Sequence, residues 1–171
     1  MININGNKND LNYRYKMEQI NLNNCGKGNG QFTIINNMDE ISKSINTPSE
    51  ILYKYLVFVL GSAFNDKKKA LTGTYTTEII QQSIYDYINK FVICPNCGIP
   101  ELMYKIENKK VCASCSACGK TNNIEFNTKI NIKVLDLIEK YLVINKEWIK
   151  TKGLIVEQNI KSSESDFDPF S

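Results

Sequence analysis

The sequence predicts an α+β fold in which a small mixed α/β domain is followed by a ribbon built around four cysteines. Residues 31–37 have the β-branched content of a strand, and residues 47–64 and 76–92 repeat their apolar side chains at helical spacing. Two C-x-x-C-G units follow at residues 94–98 and 115–119. Because 42% of the 171 residues are hydrophobic, the chain can bury one modest core with a small module attached.

Composition narrows the functions that this chain can have. The sequence contains no histidine, so it cannot build a Ser-His-Asp triad, and any metal must be held by cysteine or carboxylate. It has no apolar run of membrane-spanning length and no signal peptide pattern at residues 1–10, which predicts a cytoplasmic protein without membrane contact. The formal net charge of +3 permits nucleic-acid binding without requiring it.

Residues 1–30 are polar and rich in Asn and Gly, and we expect them to form a flexible N-terminal segment. The segment contains Arg14, the sole arginine of the sequence, within YRYKM at residues 13–17. It ends in GKGNG at residues 26–30, whose glycines predict an exposed turn that presents Lys27. This turn has no following Ser or Thr and no preceding buried strand, so it does not predict a phosphate-binding loop.

The predicted α/β domain spans residues 31–92 and begins with the strand at residues 31–37. Asn37 or Asp39 could cap the short helix that follows. The apolar residues of that helix share one face, and they are Met38, Ile41 and Ile45.

The stretch at residues 47–64 predicts the buried central helix, because it is apolar almost all round. Thr47 is its expected N-cap, with Pro48 in the first turn and Glu50 at the third position. Gly61 is its expected end.

Residues 65–76 predict a hairpin with a turn at Asn65 and Asp66, and residues 76–92 predict a helix that leads into the cysteines. The apolar stripe of this helix comprises Ile79, Ile80, Ile84, Tyr87 and Ile88.

The cysteines carry the strongest functional signal and predict a four-cysteine zinc ribbon at residues 93–128. Two cysteines three positions apart in a tight turn can aim both sulfurs at one ion, and the glycine after each pair lets the backbone fold beneath it. Two such turns, joined by a hairpin with its own turn at residues 107–109, complete a closed tetrahedral site. The predicted ligands of this structural Zn²⁺ are Cys94, Cys97, Cys115 and Cys118.

Other roles for the cysteines stay open at this point. Cys112 and Cys115 also form a C-x-x-C pair, but a glycine follows Cys118 just as one follows Cys97, which favours the set above. Cys112 would then be a spare thiol, and Cys25 an isolated free cysteine. A disulfide is disfavoured in a reducing compartment, and a redox C-x-x-C would not occur twice in this register.

Residues 129–171 predict a helical extension followed by an acidic tail. The tail, NIKSSESDFDPFS, is Ser-rich and is expected to be disordered. The apolar face of the helix comprises Val134, Leu137, Ile138, Tyr141 and Leu142.

The order of these motifs resembles the eukaryotic translation initiation factor 5 family. The matching stretches are YRYKM at 13–17, GKGNG at 26–30, the helical region at 37–64, YINKFVICPNCG at 87–98 and CSACGK at 115–120. The middle and zinc parts also resemble the beta subunit of initiation factor 2. The N-terminal YRYKM and GKGNG stretches distinguish the two.

This resemblance implies a protein with no enzymatic activity of its own, which activates a partner GTPase in trans. The family promotes GTP hydrolysis by the gamma subunit of initiation factor 2 when the start codon is recognised on the small ribosomal subunit. It also implies contacts with the beta subunit and with initiator tRNA, made by a monomer. The functional arginine of the family, an arginine finger, falls on Arg14, and two functional lysines fall on Lys27 and Lys54.

Two other functions stay open. The chain could be a non-catalytic RNA-binding or ribosome-binding module that resembles the beta subunit, or a zinc-ribbon protein of the transcription machinery, which the upstream motifs disfavour. The candidate phosphate contacts of such a module are Lys105, Lys109, Lys110 and Lys120. The resemblance covers residues 1–128, and residues 129–171 show no counterpart of the family's C-terminal helical-repeat domain. Docking through that domain is therefore expected to be absent or weak.

Overall fold

The computed structural model describes residues 2–4, 12, 14–123, 128–146 and 148, so the predicted acidic tail lies outside the described residues. The strands are β1 (Ile2–Asn3), β2 (Lys16–Met17), β3 (Leu22–Cys25), β4 (Phe32–Ile35), β5 (Phe64–Asn65), β6 (Ala70–Thr72), β7 (Leu102–Glu107), β8 (Lys110–Cys115) and β9 (Thr121–Asn123). The helices are α1 (Met38–Ser44), α2 (Ser49–Leu60), α3 (Thr77–Tyr87) and α4 (Lys129–Asn145). These elements confirm the predicted α+β fold. None of the described helices could cross a membrane.

The α/β domain is built on an antiparallel four-stranded sheet with the strand order β3-β4-β6-β5. The strand predicted at residues 31–37 is β4, which lies at the centre beside β6 with Thr33 opposite Leu71. The predicted hairpin joins β5 to β6. Its turn begins at Asn65, whose side-chain oxygen accepts hydrogen bonds from the backbone N–H groups of Lys67 and Lys68 at 3.0 and 3.1 Å.

The core begins upstream of residue 31, which differs from the predicted boundary of the α/β domain. Ile4, Met17 and Ile20 are buried, and β1 pairs with β2. β3 is likewise part of the sheet, with Cys25 opposite Phe32. These segments are bound because their apolar side chains cover the end of the core, a contribution that polar composition alone conceals.

The side chains that begin α1 and α2 do not cap them as predicted. Asn37 occupies the N-cap position of α1, but its amide bonds the upstream chain, accepting from the N–H of Asn21 and donating to the carbonyl of Gln19. The N-cap of α2 is Pro48, so the prediction of Thr47 was wrong. The Thr47 hydroxyl is buried and donates to the carbonyl oxygen of Ile45 instead.

α2 is the central helix of the fold, as predicted, and it packs against α1, α3 and α4. It ends at Gly61, which adopts a left-handed conformation with φ of 65° and donates its N–H to the carbonyl of Val57. This helix end is the predicted one, because glycine reaches that backbone conformation without a steric penalty.

α3 presents an apolar face to the core, with one correction to the predicted stripe. Ile79 is 45% exposed, because it lies one position off the face that its neighbours share. The buried members are Ile80, Ile84, Tyr87 and Ile88. The hydroxyl of Thr76 caps this helix by accepting from the N–H of Ile79, and a π-helical turn at Ile88–Val92 carries the chain into the cysteines.

The ribbon is a three-stranded antiparallel sheet with the order β7-β8-β9. Its hairpin turn places Asn108 and Lys109 at φ of 51° and 64°, between Glu107 and Lys110. Two consecutive residues with positive φ are typical of the tight turn that matches strand twist. The turn predicted at residues 107–109 is therefore confirmed.

α4 is the predicted amphipathic helix, and it is an integral part of the core. Val134, Ile138 and Leu142 are buried, and the helix contacts α2, β7 and β8. Trp148, just beyond it, is also buried and lies edge-on to Tyr104 of the ribbon. The helix therefore packs against both the α/β domain and the ribbon.

Candidate functional site

Four cysteine sulfurs converge at the end of the ribbon. The Sγ atoms of Cys94 and Cys118 lie 3.8 Å apart, and those of Cys97 and Cys115 lie 3.6 Å apart. All four sulfurs lie within 4.8 Å of one another, so the group could hold a metal ion. These are the four cysteines that the spacing of the motifs selected.

The two cysteine turns have nearly the same backbone geometry. Gly98 and Gly119 adopt φ of 72° and 75°, and their N–H groups donate to the carbonyls of Cys94 and Cys115 at 2.9 and 2.8 Å. This left-handed conformation is the reason for glycine after each pair. Each turn therefore places one buried and one exposed cysteine beside the shared centre.

The surroundings of the buried cysteines differ in their effect on the thiols. Burial raises the pKa of the Cys94 thiol, but hydrogen bonds from the N–H groups of Cys97 and Asn96 outweigh it and lower that pKa to about 7. Burial raises the pKa of the Cys115 thiol to about 12. A cation at the centre would favour the thiolate form of both, since thiolates are the metal-binding form.

Cys112 lies outside this cluster. It is buried on β8, and its sulfur lies 3.9 Å from the carbonyl oxygen of Lys110. Cys25 is half-buried on β3 of the other sheet. The alternative pairing of Cys112 with Cys115 is therefore not the arrangement that the fold produces.

Arg14 is exposed just before β2, next to a residue that contacts the ribbon. Its guanidinium carbon is 5.7 Å from the centre of the Tyr15 ring. The hydroxyl of Tyr15 donates a hydrogen bond of 2.9 Å to the Oε1 atom of Glu101, which lies between the first cysteine turn and β7. A cation over an aromatic face in an exposed position contributes about 0.5–1 kcal/mol.

Lys27 is exposed in the loop that joins β3 to β4. A single turn of 3₁₀ helix at Gly28–Gly30 shapes this loop, and the N–H of Gly30 donates to the carbonyl of Lys27 at 3.0 Å. Gly26 has φ of 89°, and a Cβ atom there would lie 2.2 Å from the carbonyl oxygen of Gly30. The loop therefore needs glycine at position 26.

Lys54 is an exposed residue of α2, on the side of the helix away from its buried residues. Arg14, Lys27 and Lys54 thus lie on three different elements. The ribbon lysines are exposed too, and Lys105 pairs with Glu107 at 2.7 Å. The other exposed ribbon lysines are Lys109, Lys110 and Lys120.

Comparison with known families covers most of this arrangement. A profile for a domain found in initiation factor 2B and initiation factor 5 matches residues 5–121, from the N-terminal segment through the second cysteine turn.

The chain belongs to this initiation factor 2B/5 family.

Several similar proteins carry the name eukaryotic translation initiation factor 5. The Drosophila melanogaster protein is 34% identical over 136 residues, which cover 76% of this chain and 29% of that protein. The Saccharomyces cerevisiae protein is 34% identical over 139 residues, with 78% and 34% covered. The Mus musculus protein is 32% identical over 135 residues, with 75% and 32% covered. This chain spans about a third of the length of these relatives.

Sequence reasoning found the cysteines of this initiation factor 2B/5 domain and missed the residues that connect its parts. Tyr15 lies inside the YRYKM stretch, but nothing local indicates that its hydroxyl reaches Glu101, 86 positions away. Trp148 lies beyond the residues that the family profile matches, and being the sole tryptophan was its only visible signal.

Proposed function

We propose that this chain is a translation initiation factor of the initiation factor 5 type, which promotes GTP hydrolysis by a partner GTPase. The partner is the gamma subunit of initiation factor 2, bound with the beta subunit and initiator tRNA on the small ribosomal subunit in the cytoplasm. One observation carries this proposal: a chain of this family presents its sole arginine, Arg14, exposed to solvent. The factor itself performs no chemistry.

Arg14 would act as an arginine finger supplied in trans. During phosphoryl transfer, charge is spread over the oxygens of the transferred group, and a guanidinium can stabilise it with two directed hydrogen bonds. A lysine supplies the charge but lacks the planar pair of donors. Arginine fingers contribute rate factors of about 10³–10⁵.

Lys27 and Lys54 would support the same activity from the surface. Lys27 is the stronger candidate because a loop with a sterically required glycine presents it to solvent. Lys54 is exposed on α2 and could make a further contact with the partner complex.

We infer that the four-cysteine cluster holds a structural zinc ion. With Zn–S bonds of about 2.3 Å, tetrahedral geometry requires sulfurs about 3.8 Å apart. The separations of 3.8 and 3.6 Å for Cys94–Cys118 and Cys97–Cys115 fit that requirement. Four protein ligands leave no open position for a substrate, so the ion would stabilise the ribbon by joining its two turns.

Single-turnover GTP hydrolysis in reconstituted initiation complexes tests the activator role. We expect Arg14→Ala to lose about 10³-fold or more of the stimulation, and Arg14→Lys to recover only a small part of it. Lys140→Ala, which removes an exposed lysine of α4, is the matched control and should behave as wild type. If wild type and both Arg14 variants stimulate equally, or none stimulates, the assignment of Arg14 is wrong.

A non-catalytic RNA-binding role is the second candidate, favoured by the four exposed ribbon lysines. This role predicts salt-dependent binding to the small subunit that is independent of Arg14. Binding without any stimulation of GTP hydrolysis would favour it over the activator role.

A further inference from the structure

Tyr15 connects Arg14 to the ribbon. One face of its ring lies 5.7 Å from the Arg14 guanidinium carbon, and its hydroxyl donates to Glu101 at 2.9 Å. Both Tyr15 and Glu101 are half-buried, whereas Arg14 is exposed. A half-buried hydrogen bond to a carboxylate is stronger than a neutral surface contact, so this one can hold the tyrosine in place.

The α/β domain holds the backbone of Tyr15 in place. Its carbonyl oxygen accepts a hydrogen bond of 2.9 Å from the N–H of Ile4. Two residues later, Met17 is fully buried on β2. The Tyr15 backbone therefore belongs to the α/β domain, while its side chain bonds the ribbon.

Glu101 is held by both cysteine turns. It lies three residues after Gly98 of the first turn, and its N–H donates to the carbonyl of Ile99 at 2.9 Å. Its own carbonyl accepts from the N–H of Ser116, the residue after Cys115 in the second turn, at 3.2 Å. The position of Glu101 therefore depends on the two turns being joined.

We propose that Glu101 is a positioning residue that, through Tyr15, sets where the Arg14 guanidinium is presented. The proposal rests on the activator role above and adds a function for the ribbon. A long, exposed arginine loses conformational freedom when it enters a partner's active site, and ordering the residue next to it in advance reduces that loss. A misplaced guanidinium stabilises the transferred phosphoryl group less well.

GTP hydrolysis assays with Glu101 variants of the full chain test this role. We expect Glu101→Ala to lower the maximal stimulated rate about tenfold, with the half-saturating concentration of the factor unchanged. Glu101→Gln retains a side-chain oxygen acceptor and should restore most of the rate. Tyr15→Phe should match Glu101→Ala, and the double variant should be no worse than either single variant. Glu139→Ala, which removes an exposed glutamate of α4, is the control for lost charge.

A second readout does not depend on GTP hydrolysis. Because Arg14 is the sole arginine of the sequence, an arginine-specific protease has one cleavage site in the chain, between Arg14 and Tyr15. We expect Glu101→Ala to be cleaved there several-fold faster than wild type, Glu101→Gln and Glu139→Ala. Zinc content measured on each variant shows whether the ribbon is intact.

The two readouts separate the possible failures. If Glu101→Ala matches wild type in both cleavage and hydrolysis, or if Glu101→Gln is as impaired as Glu101→Ala, the positioning role is wrong. If wild type does not stimulate hydrolysis at all, the activator role fails, while faster cleavage of Glu101→Ala would still show that Glu101 holds the arginine segment.

Discussion

The indole N–H of Trp148 donates a hydrogen bond of 2.6 Å to the backbone carbonyl oxygen of Asn46, in the interior of the protein. Asn46 follows α1 in a left-handed conformation with φ of 53°. The indole ring also lies edge-on to Tyr104 of the ribbon and to Tyr141 of α4. One side chain therefore joins the α/β domain, the ribbon and the final helix.

Trp148→Phe should lower the free energy of unfolding by about 1–3 kcal/mol, because it leaves the buried carbonyl of Asn46 without its donor. Trp148→Ala should cost about 3–5 kcal/mol, since it also removes the ring from its packing. Denaturant unfolding followed by circular dichroism measures both. Ile144→Ala, which shortens a side chain that is 77% exposed, should stay within about 0.5 kcal/mol of wild type. A Trp148→Phe variant as stable as wild type would contradict the role of this hydrogen bond.

Metal analysis of cysteine variants tests the four-cysteine site. Cys115→Ser should lose the bound zinc, because a closed site needs all four sulfurs. Cys112→Ser should retain it, because the Cys112 sulfur lies outside the cluster. The opposite result, with Cys112 required and Cys115 dispensable, would reassign the ligands.

Chelation provides a further check on the role of the metal. Because the ion would join the two turns, its removal should destabilise the ribbon and loosen its contacts with α4. Fluorescence of Trp148, the sole tryptophan, should change on chelation and recover when zinc is returned. An unchanged signal would show that the ribbon remains packed without metal.

The loop that presents Lys27 offers a matched pair of glycine substitutions. In Gly26→Ala the new Cβ would meet the Gly30 carbonyl oxygen at 2.2 Å, so the loop must change shape. In Gly30→Ala the new Cβ meets nothing within 4 Å, so the loop should be unaffected. If Lys27 acts from this loop, Gly26→Ala should lower stimulated GTP hydrolysis about as much as Lys27→Ala. Equal activity of the two glycine variants would show that loop shape is unimportant.

Stability should fall above about pH 10 because of buried tyrosines. Burial raises the pKa of Tyr55 to about 12, and burial also raises the pKa values of Tyr87 and Tyr104 well above their ordinary value. A pKa that is raised in the folded state means that unfolding releases protons once the unfolded tyrosines ionise. The stabilisation is therefore complete below about pH 10 and is lost as the pH rises further.

Denaturant unfolding at about pH 8 and about pH 11 measures this effect, and tyrosinate absorbance should appear together with unfolding. Tyr87→Phe removes one of the buried groups and should make the stability less dependent on pH in this range. Ionisation of all tyrosines before any unfolding would contradict the prediction.

Local rules predicted the parts of this fold that depend on a few neighbouring residues. The end of α2 at Gly61, the turn at Asn108 and Lys109 and the two cysteine turns follow from backbone conformations that adjacent residues prefer. The spacing within the cysteine motifs likewise indicated which four sulfurs would meet. These features depend on short-range geometry, which the sequence shows directly.

Residues with several possible partners could not be assigned in that way. Thr47 could cap α2 or bond Ile45, and the burial of residues 45–48 decides for Ile45. Ile79 fits the apolar stripe of α3 by composition, yet the orientation of the helix against the core leaves it exposed. In both cases packing of distant segments selects among choices that are locally equivalent.

The sequence by itself determined the family, the metal-site cysteines and Arg14 as the candidate residue for GTPase activation. Only the tertiary structure showed that Tyr15 bonds Glu101 and that Trp148 bonds Asn46, across 86 and 102 positions of the chain. Such contacts form because folding brings the α/β domain, the ribbon and α4 together, and a donor buried at their boundary must find an acceptor there.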